Sequence, residues 1–222
     1  MIVFLRGPVK RNAAKNRDLA ETYERRPPLN PPRIILASTS PYRRALLARL
    51  RIPFEVKAPA VDEAALPGET ARDAALRLAQ AKARAAAPFF PGALVIGCDQ
   101  VAALDGAHIG KPGNHRNAVA QLKAMRGRNV LFHTALALLN TASGHLQLAD
   151  VPTTVSFRDY DDSEIERYLT LEQPYDCAGS AKIEGLGIML VERVTGDDPS
   201  ALIGLPLIEL AAMLRKEGVA LA

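Results

Sequence analysis

The chain has 222 residues, 48% of them hydrophobic and 23% charged, enough for one large or two small domains around a sizeable core. No apolar run approaches the roughly 20 residues a membrane-spanning helix needs. Met1–Leu5 is too short for a secretory core, so a cytoplasmic protein without membrane attachment is expected. An isoelectric point near 9.2 invites a nucleic-acid role, but seven of the 28 Lys and Arg and three of the 24 Asp and Glu fall within residues 1–32, leaving 21 of each sign beyond. The remainder carries no surplus for a polyanion-binding face.

In chain order, residues 1–32 are read as a disordered, basic, Pro-rich extension ending in Pro27-Pro28-Leu29-Asn30-Pro31-Pro32, with one domain over 33–222. The apolar run Ile34–Ala37 predicts a buried strand. Ser40-Pro41 then gives a cap followed by proline at the first helical position, opening a helix to Leu50. Phe54–Val56 alternates as a strand. Thr70 caps an alanine-rich helix that Pro88 ends. Leu94–Cys98 and Val101–Leu104 read as strand, Asn114 as the cap of a helix to Met125, and Asn129–Asn140 with Leu146–Arg158 as a hairpin. A helix from Asp161 or Asp162 to Leu171, a strand over Gly185–Val194 and a last helix over Pro206–Glu217 complete an α/β class built around a long twisted mixed sheet flanked by helices.

Three groups of residues can carry chemistry. Ser38-Thr39-Ser40-Pro41-Tyr42-Arg43-Arg44 lies between strand and helix, where hydroxyls, free backbone N–H groups and two guanidinium forks suit an anion; an ordinary cap with surface arginines reads equally well. Asp99 follows a five-residue apolar run, where an unpaired charge is costly, and Asp62-Glu63 could add a second carboxylate. A nucleotide-bound Mg²⁺ needs only one or two such ligands beside phosphate oxygens and water. Lys111 stands in Gly110-Lys111-Pro112, but Gly106 is one residue too close and proline replaces Ser/Thr, which excludes a P-loop. Lys82 is either a phosphate counter-charge or a snorkelling surface lysine. Cys98 and Cys177 form no CxxC pair, and the four histidines have no zinc-ligand spacing, so both sets are read as structural or surface residues.

Taken together, the stretches ILASTSPYRRALL (35–47), VDE (61–63), LRLAQAKA (76–83), VIGCDQV (95–101), IGKP (109–112), EQPYDCAGSAKIEGLGI (172–188) and LIGLPLIEL (202–210) resemble the Maf family of nucleotide pyrophosphatases. The resemblance implies an inosine-triphosphatase-like fold with a central cleft. It also implies a house-cleaning hydrolase that cuts a nucleoside triphosphate at the α-phosphorus and releases pyrophosphate. Asp99 matches the family's proton acceptor, and Ser38, Arg43, Arg44, Glu63, Lys82 and Lys111 match residues of its cleft, with Ser40 in the same turn. Glu63 and Asp99 would hold Mg²⁺ or Mn²⁺. Tyr42, Gln100 and Glu184 match the 7-methyl-GTP branch, where arginine, threonine and glutamine would mark the dTTP/UTP branch. Ala181 departs from the pattern, standing where an aromatic is expected. A small-molecule nucleotide partner follows, with no nucleic acid and no membrane, and a homodimer is in keeping with the family. The competing readings are the same chemistry on dTTP, UTP or another modified nucleotide, and a non-enzymatic nucleotide-binding regulator of cell division.

Overall fold

The computed structural model describes residues 32–221; apart from Pro32, the extension expected over 1–32 lies outside the described residues. The strands are β1 (Ile34–Ala37), β2 (Glu55–Val56), β3 (Leu94–Leu104), β4 (Ala107–Ile109), β5 (Asn129–Asn140), β6 (Leu146–Phe157) and β7 (Val191–Gly196). They form one sheet in the order β2-β1-β3-β5-β6-β7, with β4 added to β3. β1 runs parallel to β2 and β3, and the other pairings are antiparallel. The expected mixed sheet with flanking helices is what the chain adopts. Among the described residues no helix is long and apolar enough to cross a membrane.

Strand alternation distributes the helices over the two faces. On one face Leu94, Ile96 and Cys98 of β3 and Leu136 and Leu138 of β5 pack against α1 (Pro41–Ala48) and α5 (Leu207–Lys216). Farther along that face Phe132, Val155 and Phe157 meet α3 (His115–Met125) and α4 (Asp162–Glu172). The other face is covered by α2 (Ala71–Ala86), whose contact stripe of Ala75, Ala79, Ala83 and Ala86 is fully buried. Small side chains let this helix lie close to the sheet, and Gly97 of β3 completes the fit. A Cβ there would overlap the Ala79 carbonyl and stand 2.7 Å from the Ala83 nitrogen.

β3 also carries the gap on which the site depends. Along the edge away from β5, β1 pairs with Leu94–Gly97 and β4 with Ala102–Leu104. Cys98–Val101 therefore have no strand partner on that side. Asp99 and Gln100 point to opposite faces of the sheet, yet both reach the opening.

The caps at Ser40, Thr70 and Asn114 accept from the N3 backbone as expected, and Asp161 forms a full capping box with Glu164. α1 stops at Ala48, two residues short of the expected end, and the two β3 segments fuse into one strand. β4 has no counterpart in the sequence reading. One expectation is corrected: residues from Gly185 are not strand until Val191. Leu186–Leu190 form a 3-10 turn, because the Gly185 and Gly187 N–H groups donate to Lys182 O and the Leu186 N–H to the Glu172 carboxylate, so they do not enter the ladder.

The Gly97 contact yields a prediction. Gly97→Ala must push α2 off the sheet and should cost about 3 kcal/mol in urea denaturation, as overpacking of a tight core does. A loss too small to measure would show that the close approach is not needed.

Candidate active site

The loops that follow β1 and β4, the loop before α2 and the segments preceding β7 and α5 converge on the gap in β3 and enclose a cavity of about 650 Å³. Its centre is an ion triad. Lys82, in the fourth turn of α2, is only 4% exposed, and Asp99 is 7% exposed. The Lys82 ammonium lies 2.5 Å from Asp99 Oδ1 and 2.6 Å from Glu63 Oε1. Lys82 is therefore a buried counter-charge and not a surface lysine. Asp99 Oδ2 has no hydrogen-bond partner among the described residues, and Asp99 lines the cleft. Partial burial would raise the Glu63 carboxyl, but hydrogen bonding and charge from Lys82, with the charges of Lys111 and Arg43, hold it below its ordinary range.

The turn after β1 forms the cap that its composition requires. Ser40 caps α1 by accepting from the Arg43 N–H at 3.3 Å, and its own N–H donates to Ser38 Oγ at 3.1 Å. Arg43 turns into the cleft, where its Nε donates to Gly204 O at 2.9 Å. Lys111, just after β4, lines the same cavity. Arg44 does not: it is exposed, and the structure leaves it off the cavity wall. The α1 periodicity accounts for this, because a helix that aims residue 43 inward turns residue 44 about 100° away.

Tyr42, Gln100 and Glu184 all line the cavity, as does Ala181. The Tyr42 ring is half-buried, with the Lys182 ammonium 6.0 Å from its centroid. Burial, assisted by Cys177 and Asp176, pushes its hydroxyl up to about 12. α4 anchors the segment that carries Ala181 and Glu184: Tyr168 Oη donates to Ser180 O and accepts from the Lys182 N–H, while Glu172 pairs with the Lys182 ammonium at 2.6 Å.

Several residues at the site escaped the sequence reading. Arg77, one turn before Lys82, grips Glu69 with Nε and Nη2 and reaches Ala64 O at 3.1 Å, tethering the loop that carries Glu63. That guanidinium holds the Glu69 carboxyl down to about 2. Its place within LRLAQAKA was visible, its partners were not. His108 also lines the cavity, whereas His115, His133 and His145 sit outside it in carboxylate pairs. Cys177 is on the wall, and burial together with Asp176 pushes its thiol up to about 12. Cys98 lies beneath, its Sγ 3.0 Å from Gly204 O, and burial pushes it up to about 11.

No group of three or more His, Cys, Asp or Glu side chains among the described residues could by itself hold a metal ion. Two carboxylates meeting at one cationic centre beside an anion turn nevertheless suit a divalent ion that arrives with phosphate oxygens and water as its other ligands. The fold and the site thus define an α/β protein with a cleft where two carboxylates and several cations meet.

The sequence comparisons agree. The family model described as Maf-like protein matches residues 33–217, and the chain belongs to the Maf family. It is similar to a 7-methyl-GTP pyrophosphatase of Cupriavidus metallidurans, 60% identical over 84% of this chain and 94% of that protein. A 7-methyl-GTP pyrophosphatase of Methylobacillus flagellatus is 60% identical over 85% and 98%, and one of Paraburkholderia xenovorans 61% over 85% and 93%. Among solved structures, the Staphylococcus aureus Ham1 protein aligns with 57% of this chain and 72% of its own length at 17% identity and a TM-score of 0.41, a likeness too loose to bear on the fold.

The depressed Glu63 carboxyl fixes a sign. Its stabilising contact with Lys82 is complete above the unfolded-state value of 4.5 and is lost as pH falls through the lower folded-state value. Glu63→Gln should therefore be less stable than the parent at pH 7, and the difference should shrink as pH drops below 4.5. Urea titrations at a series of pH values check this; a deficit that widens on acidification would contradict the assignment.

Proposed function

We propose that the chain hydrolyses 7-methyl-GTP to 7-methyl-GMP and pyrophosphate, with Mg²⁺ or Mn²⁺. The observation that carries the reading is the buried Lys82 held between Asp99 and Glu63 in a cavity that Ser40, Arg43 and Lys111 also line. A scaffold has no physical need for this concentration of buried and facing charge. The substrate preference draws on Tyr42, Gln100 and Glu184 in the same cavity and on the activity named for the relatives.

The reaction is displacement at the α-phosphorus. Asp99 Oδ2 accepts a proton from water as its oxygen bonds to phosphorus, and the bond from phosphorus to the bridging α–β oxygen breaks. Pyrophosphate leaves with that oxygen. Charge builds on the leaving group, and Arg43, Lys111 and Lys82 are the cations placed to meet it. Glu63 and Asp99 would hold the divalent ion, which supplies Lewis-acid polarisation of the phosphoryl oxygens when bound. At the base end the face of Tyr42 offers a cationic, N7-methylated purine a cation–π attraction of about 0.5–2 kcal/mol. The Glu184 carboxylate, an acceptor only, suits the N1–H and N2 amino edge of guanine.

Three experiments check this. Chromatography of the products from 7-methyl-GTP should show the monophosphate and pyrophosphate; a diphosphate with inorganic phosphate would refute the cleavage position. Asp99→Asn should lower kcat by about 10²–10⁴-fold, the range for losing a general base, with an unchanged circular-dichroism spectrum. Exchanging Tyr42, Gln100 and Glu184 for Arg, Thr and Gln should move the preference toward dTTP or UTP, read as the ratio of kcat/KM values.

A further inference from the structure

Gln100 does not hang free in the cleft. Its Nε2 donates to Ala201 O at 3.1 Å, Leu202 O at 3.0 Å and Thr134 Oγ1 at 2.9 Å. The two main-chain carbonyls accept only, which draws the amide nitrogen to their side. Thr134 is itself directed. It is fully buried on β5 opposite Gln100, and its hydroxyl donates to Ala201 O at 3.0 Å, which turns its lone pairs toward Nε2. The carboxamide is thereby locked with Oε1 away from the loop. Oε1 has no protein partner among the described residues, and Gln100 lines the cavity.

The loop that supplies these carbonyls is itself held. Asp198, 3% exposed, accepts from the Ser200 N–H and hydroxyl through Oδ1 and from the Ile208 N–H through Oδ2. Ser200 Oγ in turn accepts from the Leu207 N–H at 2.8 Å.

We infer that Thr134 is a positioning residue for substrate choice: with the Ala201 and Leu202 carbonyls it presents Gln100 to the base as a fixed hydrogen-bond acceptor. An acceptor at this wall favours a donor-rich edge such as the adjacent N1–H and N2 amino group of guanine. It disfavours uracil, whose single imino donor is flanked by two carbonyls. Were the carboxamide free to rotate, it would offer a donor as readily and the discrimination would fade. This inference rests on the proposed nucleotide chemistry for its consequence but not for its geometry, and the test separates the two.

The Gln100 side-chain NH₂ resonances in an ¹⁵N-labelled sample read the orientation directly. In the parent protein they should be dispersed and slow to exchange; shifts and exchange of a free carboxamide would overturn the inference even without any variant. In Thr134→Val they should move toward those free values. The ratio of kcat/KM for 7-methyl-GTP over UTP should then fall about tenfold, the worth of one well-placed hydrogen bond. Thr134→Ser, which keeps the hydroxyl, should restore both. An unchanged ratio and unchanged resonances in folded Thr134→Val would refute the role. A parent protein that holds the amide but cleaves neither nucleotide would refute the proposed function and leave the positioning intact.

Discussion

The Lys82 ammonium is almost wholly withdrawn from water, and a cation so placed must be paired or lose its charge. Asp99 and Glu63 pair it, and much of the surrounding structure serves to bring them there. Asp99 reaches it because β3 turns alternate residues toward α2. Lys82 reaches Asp99 because an alanine stripe and Gly97 let helix and sheet approach closely. Glu63 reaches it from a loop without regular structure that Arg77 ties to α2 through Glu69 and Ala64. Losing Asp99 would leave Lys82 with only the half-exposed Glu63, and breaking a buried pair typically costs about 3–5 kcal/mol, so fold stability and chemistry draw on the same contacts.

The gap in β3 explains how one cavity can hold both an acid that faces α2 and an amide that faces the opposite layer. A fully paired strand would bury Asp99 and Gln100 in separate cores. With no strand partner at Cys98–Val101, the two residues flank a single opening. The anion turn after β1, Lys111 after β4 and the Ser200–Gly204 loop fill its rim. Gly204 O accepts from both Arg43 Nε and Cys98 Sγ, while Ala201 O and Leu202 O accept from Gln100 Nε2. One short loop thus orients residues at both ends of the cleft.

Much of the fold was legible because its signals are local. The caps at Ser40, Thr70 and Asn114, the apolar run of β3 and the hairpin of β5 and β6 depend on residues a few positions apart. The burial of Lys82 was not legible, since an alanine-rich helix reads the same whether its lysine meets solvent or the strand that follows it in the chain. β4 has only three residues, none of them buried, and gave no period to find. Leu186–Leu190 carries strand-like apolar residues, but hydrogen bonds to Lys182 and Glu172 decide its shape. Of the candidate site, the residues that match the family's motifs converge on the cavity except Arg44. The contributions of Ala201, Leu202 and Gly204 are main-chain carbonyls, which leave no mark in the side-chain sequence.

Cys177 stands on the wall of a cleft crowded with cations, a setting that elsewhere sharpens sulfur into a nucleophile. Here desolvation and the adjoining Asp176 act the other way and keep the proton on sulfur at neutral pH. Thiolate, the form that attacks electrophiles and is first to be oxidised, is scarcely populated. The cleft therefore carries a cysteine whose resting form at neutral pH is the weakly reactive thiol.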